Sequence, residues 1–175
     1  MKNNTNPKIW VTTYGAYNDG RLDGRWIDLT EVEDVKEIYD AVKEDTRDPD
    51  PEIMVCDYEY LPEGMYTEAA GTDDLQAMLD YAWLDDDDRE ILDGWLEHAG
   101  WDKRRTVEEQ LDEAQEHFSG RYESFSDFAY ELAMDTGMFD GKNELLERYF
   151  NWDAWERDLK YDYHYSDNGC VYSMY

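Results

Sequence analysis

The stretch KIWVTTYGAYNDGRLDGRWIDL, residues 8–29, decides the fold of the first part of the chain. Residues 8–14 are rich in β-branched and aromatic side chains, a composition typical of a β-strand. Residues 17–20 (YNDG) are typical of a turn, and residues 24–29 (GRWIDL) indicate a second strand. The stretch therefore predicts a hairpin whose two strands are joined by a long loop.

A helix and a third strand are predicted to complete this unit. Thr30 is a suitable N-cap, and Glu33 stands at the capping-box position. Apolar residues then recur at helical spacing up to about Lys43. After a loop that contains two prolines, residues 53–60 (IMVCDYEY) predict a strand. The first 60 residues thus predict a ββαβ unit.

The middle of the chain is predicted to be entirely helical. Thr72 caps the first of three predicted helices, residues 85–88 (DDDD) open the second, and Thr106 starts the third. Acidic residues at a helix N-terminus interact favourably with the helix dipole. Gly100 is expected to end the second helix, because glycine readily adopts the left-handed conformation found after a helix.

The last third of the chain predicts both helices and strands. Ser124 is the expected cap of its longest helix, which Gly137 or Gly141 ends. Asn168-Gly169 is a strong indicator of a hairpin. The predicted elements are a short strand, this helix, two helical turns and a hairpin, at residues 120–123, 125–136, 145–149, 152–159 and 161–175. The whole chain is therefore predicted to have an α+β fold.

Negative charge is the dominant property of the sequence. The 175 residues include 45 acids and only 16 Lys and Arg, a net charge of −29. The excess is −8, −14 and −7 in residues 1–60, 61–118 and 119–175, so every segment that must fold carries it. Such a chain repels nucleic acids and anionic membranes, and the partners expected for it are cationic surfaces. DNA-binding proteins have the commonest strongly cationic clefts.

The charge is of the order needed to imitate DNA. Duplex DNA carries one charge per about 1.7 Å of axis, so a charge of −29 corresponds to roughly 50 Å, or about 15 base pairs. Only an elongated chain of this size reaches that length. The acids of the middle helices are therefore the candidate partner-binding, phosphate-mimicking residues: Asp73, Asp74, Asp80, Asp85, Asp86, Asp87, Asp88, Glu90, Asp93, Glu97, Glu108, Glu109, Asp112, Glu113 and Glu116.

The third middle helix is the most informative part of this set. Glu108, Asp112 and Glu116 are spaced at i, i+4 and i+8, and Glu109 with Glu113 forms a parallel row. Like charges at this spacing destabilise a helix by roughly 0.2–0.5 kcal/mol per pair. A helix selected only for stability would intersperse Lys and Arg. The alternative interpretation is an ordinary solvated helix face.

No residue pattern indicates catalysis, a cofactor or a metal site. The three histidines, His98, His117 and His164, are far apart in sequence and lack zinc-binding spacing. Residues 85–88 lack the alternating ligands of a calcium loop. Carboxylate pairs are unavoidable among 45 acids and so carry little information. The one basic trio, residues 103–105, is interpreted as an internal salt-bridge cluster or linker.

Other patterns bear on cellular location and assembly. Cys56 and Cys170 lie in strand-like runs and are interpreted as buried free thiols. No apolar run approaches the roughly 18 residues that span a bilayer, and no signal peptide is recognised, so a soluble cytoplasmic protein is expected. Alternation in YDYHY places Tyr161, Tyr163 and Tyr165 on one face of a sheet, either packed against a helix or forming a dimer surface.

Several separated motifs resemble the ArdA family of antirestriction proteins. YNDGRLDGRW (residues 17–26) is similar to the family's YNxGxLxGxW signature, and CDYEYLP (residues 56–62) is similar to its DYE-x-LP element. FSDFAYELAMDTG (residues 125–137) and YFNWDAWERDL (residues 149–159) resemble its C-terminal helices. The resemblance covers residues 8–175. The family's short acidic antirestriction motif has no assigned position in this chain.

The resemblance implies a fold, a partner and a mechanism. It implies an elongated chain of three small domains, here 1–61 (ββαβ), 62–118 (acidic and helical) and 119–175 (mixed α/β), with a homodimer formed through the last. It implies a non-enzyme that occupies the DNA-binding groove of type I restriction–modification enzymes and so protects incoming mobile DNA. No cofactor, nucleic acid or membrane partner is expected.

Three other interpretations remain open at this stage. The first is an acidic DNA mimic directed at another host protein, such as a nucleoid protein or a repressor. The second is a halophilic protein whose acids serve solubility, which would unfold at low salt. The third is a carbohydrate-active or calcium-dependent enzyme.

Overall fold

The computed structural model describes residues 5–139 and 144–175, with the side chains of 144–146 outside the description. It confirms the predicted α+β class: the described residues form eight α-helices and two three-stranded antiparallel sheets. They divide into two compact units, Met1–Arg89 with Gly100–Glu109 and Glu90–Ala99 with Gln110–Tyr175. The three-domain layout with boundaries at 61 and 118 stays a prediction.

The first unit contains the predicted hairpin and third strand. β1 (Lys8–Thr13) lies in the centre of the sheet, paired with β2 (Arg25–Asp28) on one side and β3 (Ile53–Glu59) on the other. A short helix that was not predicted, α1 (Tyr14–Asn18), occupies the loop between β1 and β2. The side chain of Thr13 caps it by accepting a hydrogen bond from the Ala16 amide at 3.0 Å.

The next helix begins four residues later than Thr30 and Glu33 predict. α2 spans Val35–Thr46, and Asp34 is its N-cap. The Thr30 hydroxyl donates to Asp28 at 2.6 Å in a separate 3-10 turn, so it is not available to cap α2. Asp34 accepts from the Glu37 amide at 3.0 Å. The Glu37 carboxylate accepts in return from the Glu33 amide at 3.1 Å.

The three predicted middle helices are present. They are α3 (Thr72–Ala82), α4 (Asp86–Ala99) and α5 (Val107–His117). Gly71, rather than Thr72, is the N-cap of α3. Gly100 follows α4 with a φ of 71°, as its position after the helix predicts. Each helix buries an apolar face, which includes Leu75, Met78 and Leu79 on α3, Ile91, Leu92 and Trp95 on α4, and Val107, Leu111 and Ala114 on α5.

The second unit contains the other sheet. β6 (Cys170–Ser173) is central, between β4 (Phe118–Arg121) and β5 (Tyr163–Tyr165). The predicted hairpin is β5–β6. Its turn closes with a hydrogen bond from the Gly169 amide to the Ser166 carbonyl at 3.0 Å, and Gly169 has a φ of 85°. This positive φ is why glycine follows Asn168. The predicted strand at 120–123 lies two residues earlier than expected, as β4.

Three helices accompany this sheet. α6 (Phe125–Asp135) is capped by Ser124 as predicted, and α7 (Glu144–Tyr149) and α8 (Trp152–Leu159) follow the predicted helical turns. Gly137, with a φ of 72°, lies just beyond α6. The other proposed stop, Gly141, lies outside the described residues. The core of this unit contains Phe125, Phe128, Ala129, Leu159 and Val171. No helix of the described residues is long and apolar enough to cross a membrane.

Candidate partner-binding surface

The acids of α3 differ in what they already bind. The Asp74 carboxylate accepts a hydrogen bond from the Gly71 amide at 2.9 Å and so caps its own helix. Asp80 accepts from the Gln76 side-chain amide at 2.8 Å. Asp73 is exposed and forms no hydrogen bond or ion pair with any residue the structure describes. Of these three acids, Asp73 is therefore the one whose charge is open to an outside partner.

The four acids at the start of α4 all have roles inside the chain. Asp85 accepts from the Asp88 amide at 2.9 Å, which caps the helix. Asp86 lies 3.6 Å from Arg89, and Asp87 also has an interaction partner within the chain, as does Asp88. Arg89 in turn donates to the Leu84 carbonyl at 2.8 Å, at the end of α3. Asp85 and Asp86 therefore support the junction of the two helices, although their side chains remain exposed.

Farther along α4, the acids hold the second unit together. Glu90 forms an ion pair with Arg121 of β4 at 3.5 Å. Glu97 accepts hydrogen bonds from the amide of Asp167, in the β5–β6 turn, at 2.9 and 3.3 Å. Asp93 lies between them on the same helix face and also has a partner within the chain. Sequence spacing alone did not reveal that Glu90 and Glu97 already have partners on β4 and in the β5–β6 turn.

The acids of α5 include the largest group without internal partners. Glu109 belongs to a capping box: its carboxylate accepts from the Thr106 amide at 2.9 Å, and its amide donates to the Thr106 hydroxyl at 3.1 Å. Glu113 also interacts within the chain. Glu108, Asp112 and Glu116 are exposed and form no hydrogen bond or ion pair with the described residues. Their i, i+4, i+8 spacing places them in one row along the helix.

The α5 acids approach the linear charge density of DNA. Five acids between residues 108 and 116 lie within about 12 Å of helix axis, or one charge per about 2.4 Å. Duplex DNA has one phosphate charge per about 1.7 Å of axis for both strands, and one per about 3.4 Å for a single strand. The helix therefore lies between these two values, even though two of its five acids also interact within the protein.

The basic trio at 103–105 lies in the first unit near the α3 acids. Arg104 binds both carboxylate oxygens of Asp102 at 2.9 Å, which lowers the pKa of that carboxyl to about 2. Arg105 donates to the Glu109 carbonyl at 2.7 Å. A cavity of about 300 Å³ is lined by the trio and by Asp73, Asp74 and Asp80. The interpretation of the trio as an internal ion-pair cluster is confirmed for Arg104.

The histidines are close in space although they are far apart in sequence. The His98 and His164 rings lie 5.4 Å apart, and the His117 ring stacks on Trp95 at 4.7 Å. Within the described residues, no group of three His, Cys, Asp or Glu side chains is arranged to hold a metal ion. Sequence separation was thus a poor guide to their proximity, which comes from the packing of α4, α5 and β5.

Tertiary packing separates the tyrosines of the YDYHY segment. Tyr163 and Tyr165 pack edge-to-face against Phe128 and Phe125 of α6, at 4.8 and 6.1 Å between ring centroids. This confirms the helix-packing interpretation for these two residues. Tyr161 precedes β5 and is 77% exposed, so it does not share their environment.

The structure explains why glycine stands at two positions of the YNDGRLDGRW segment. Gly20 has a φ of 70°, in the left-handed region that favours glycine. A Cβ at Gly24 would overlap the Val11 carbonyl oxygen and lie 2.9 Å from the Trp10 ring. This segment therefore requires glycine where the chain turns and where it passes against β1.

The fold and the acidic helices together define a small α+β protein with a strongly anionic surface. Residues 9–172, nearly the whole chain, match the family model described as antirestriction protein (ArdA). No curated protein sequence matches the chain. The chain therefore belongs to the ArdA family of antirestriction proteins, as the sequence motifs indicated, and its family membership implies an antirestriction function.

Proposed function

We propose that this chain is a DNA mimic that occupies the DNA-binding groove of type I restriction–modification enzymes and so protects incoming mobile DNA. The observation that carries the proposal is the row of exposed carboxylates on α5, formed by Glu108, Asp112 and Glu116. These carboxylates form no hydrogen bond or ion pair with the described residues. Such a row in an antirestriction protein of net charge −29 is suited to a cationic groove that normally holds phosphates.

The proposed mechanism is competition through electrostatics. Lys and Arg side chains of the groove form charge-assisted hydrogen bonds with the carboxylates in place of phosphates. Asp73 and the α5 row offer these bonds without giving up an internal partner, whereas Glu90 and Glu97 would have to leave Arg121 and the β5–β6 turn. No covalent bond is made or broken, so the mechanism requires no catalytic residue.

Structural roles divide the fifteen candidate acids into two groups. Asp73, Glu108, Asp112 and Glu116 form the group proposed to contribute most to binding. The other acids contribute to the overall field, but their carboxylates also cap helices, pair with bases or interact elsewhere in the chain. We expect the binding energy to be distributed, because each exposed pair contributes little by itself.

The test of the target is a competition experiment. The purified protein is titrated into a type I restriction–modification enzyme bound to labelled duplex DNA, at about 50 mM and about 200 mM salt. We expect displacement of the DNA that weakens as the salt concentration rises, because screening reduces the attraction between exposed charges. Absence of displacement at either salt concentration would refute this target and would favour a DNA mimic of a nucleoid protein or a repressor.

Matched variants test the proposed surface. A triple variant, Glu108→Gln, Asp112→Asn and Glu116→Gln, removes three charges with little change in side-chain size. Its control removes three acids that pair with a neighbouring base elsewhere: Asp40, Glu59 and Asp158. Both variants change the net charge equally. We expect the α5 variant to lose at least about tenfold in affinity, and more than the control, because only its three acids lie in the proposed surface. Equal losses would show that only net charge matters.

We also propose a cytoplasmic homodimer formed through the C-terminal region. The support is two largely exposed aromatic side chains in the second unit, Tyr149 and Tyr161, each 77% accessible. Sedimentation equilibrium is expected to give twice the chain mass of 20.8 kDa. Tyr149→Ser with Tyr161→Ser should shift the protein towards monomer, whereas Tyr17→Ser, a control in the first unit, should not. A wild-type monomer would refute the proposal.

A further inference from the structure

All three histidines of the protein meet in the second unit. His98 lies in the last turn of α4, His117 in the last turn of α5, and His164 in the middle of β5. Trp95 connects them: its ring stacks on His117 at 4.7 Å and lies 6.0 Å from His98. The proposed binding function uses none of these rings.

His164 is partly buried. Its Nε2 atom is buried and has no hydrogen-bond partner among the described residues. The His98 ring lies 5.4 Å away on α4, and the Tyr172 ring of β6 lies 6.2 Å away. The nearest carboxylate oxygen, from Glu97, is 3.9 Å from Nε2, which is too long for a hydrogen bond. A proton added to Nε2 would therefore meet Glu97 at ion-pair distance but without a hydrogen bond.

The charged and titratable groups around His164 come from each neighbouring element. α4 contributes His98 and Glu97, and the β5–β6 turn contributes Asp167. β6 contributes the Tyr172 hydroxyl, whose pKa is raised chiefly by burial. Burial lowers the pKa of His164 most, and His98 lowers it further. Glu97, the Gly94 backbone and Asp167 raise it by less, so the net shift is downward.

His117 is held differently from His164. Its Nδ1 donates to the Ser173 carbonyl of β6 across 2.5 Å, while its ring covers Trp95. Trp95 also contacts Tyr172, with ring centroids 5.6 Å apart. The cluster thus joins α4 and α5 to the β5–β6 hairpin, and two of its histidines, His98 and His164, face each other directly.

We propose that this histidine cluster is a pH-sensitive contact, which holds the β5–β6 hairpin on α4 while His164 is neutral and loosens it when His164 is protonated beside the His98 ring. Each protonation adds one solvent proton to an imidazole nitrogen. A cation at His164 would be partly buried and only 5.4 Å from the His98 ring, and both features disfavour the charged form. Glu97 offsets only part of this, because it already accepts from the Asp167 amide at 2.9 Å.

The sign of the pH effect follows from the direction of the His164 shift. A histidine whose folded pKa lies below its unfolded value binds fewer protons in the folded state. The folded state is therefore favoured above the ordinary imidazole range, and this contribution is lost as the pH falls through it. The net charge of −29 acts in the opposite direction, because each added proton reduces the self-repulsion of the folded chain.

The test measures hydrogen exchange of the hairpin amides, relative to amides of the β1–β3 sheet. We expect exchange in β6, corrected for its intrinsic rate, to accelerate between about pH 7.5 and about pH 5.5, by up to about tenfold per pH unit for each proton taken up. His98→Gln should reduce this acceleration. It should also raise the pH at which the C2 proton of His164 titrates, since the electrostatic effect of His98, which lowers the pKa of His164, is removed.

The variants distinguish this proposal from a loosening of the hairpin at low pH that does not depend on the histidines. His98 is exposed, so His98→Gln is expected to fold, and His98→Gln with His164→Gln should abolish the pH dependence of hairpin exchange. Unchanged relative exchange between the two pH values in the wild type would overturn the proposal. Equal acceleration in the wild type and the double variant would overturn it as well, and the proposed DNA mimicry would be unaffected.

Discussion

Gly94→Ala tests how closely the β5–β6 hairpin is seated on α4. A Cβ added at Gly94 would lie 2.5 Å from the Tyr172 hydroxyl oxygen, 2.8 Å from the Ser166 Oγ and 2.9 Å from the Asn168 Oδ1. The Tyr172 hydroxyl cannot simply move away, because it donates to the Ile91 carbonyl at 2.6 Å. The Asn168 amide is likewise held by a helix carbonyl, that of Glu90, at 2.8 Å.

The magnitude of the change is the difference between two opposing effects. In a helix interior, glycine to alanine ordinarily stabilises by about 1 kcal/mol. Overpacking costs about 1–3 kcal/mol, and losing the two hydrogen bonds to the helix carbonyls costs about 0.5–1.5 kcal/mol each. The net expectation is a loss of about 1–5 kcal/mol in the free energy of unfolding. For a chain of 175 residues this lowers the Tm by roughly 2–20 °C.

The assay is urea denaturation followed by far-ultraviolet circular dichroism, combined with a double-mutant cycle. Tyr172→Phe alone should cost about 1 kcal/mol, because it removes the hydroxyl that donates to Ile91. In the Gly94→Ala background it should cost less, since the overlapping hydroxyl is gone, giving a coupling of about 0.5 kcal/mol or more. Gly94→Ala with stability equal to or above that of the wild type would refute this reasoning.

Three further changes probe single features of the fold. Gly24→Ala should destabilise the protein by about 1–3 kcal/mol in urea denaturation, because the new methyl group meets β1 backbone and the Trp10 ring; an unchanged midpoint would contradict the overlap. Thr106→Ala should cost about 1 kcal/mol through loss of the α5 cap, with net charge unchanged; no loss in the same measurement would show that the cap is dispensable. Arg104→Gln should raise the pKa of Asp102 from about 2 towards its ordinary range, which carbonyl-detected NMR would follow. The stability that ionised Asp102 gives the folded state, which is present above its unfolded pKa and lost as the pH falls, should decrease in the variant. An unchanged titration of Asp102 would disprove the pairing.

Local patterns predicted most of the secondary structure, because the elements are built from contacts between near neighbours. The first two strands follow from β-branched and aromatic runs, and Ser124 caps α6 at the predicted position. Thr30 was a wrong prediction for the start of α2. Its hydroxyl is occupied by Asp28 and by Asn6, a residue 24 positions away, and capping patterns do not contain this information.

The candidate site was only partly readable from the sequence. Net charge and the family motifs predicted an anionic surface and an antirestriction protein. They could not distinguish Asp112, which has no hydrogen-bond or ion-pair partner among the described residues, from Glu97, which accepts hydrogen bonds from the β5–β6 turn. Both are acids on amphipathic helices, and the difference arises only when another element packs against one of them. Predicting which acids are open to a partner therefore requires the tertiary structure.

The sequence by itself determined the α+β class, the family and the excess of negative charge, since composition, periodicity and separated motifs are local properties of the chain. Tertiary structure alone decided that His98, His117 and His164 share one cluster around Trp95, and that Gly94 must lack a side chain. These depend on close approaches between residues up to 81 positions apart, such as Tyr172 and the Ile91 carbonyl. The packing of the hairpin on α4 brings such residues together, and no local pattern records that packing.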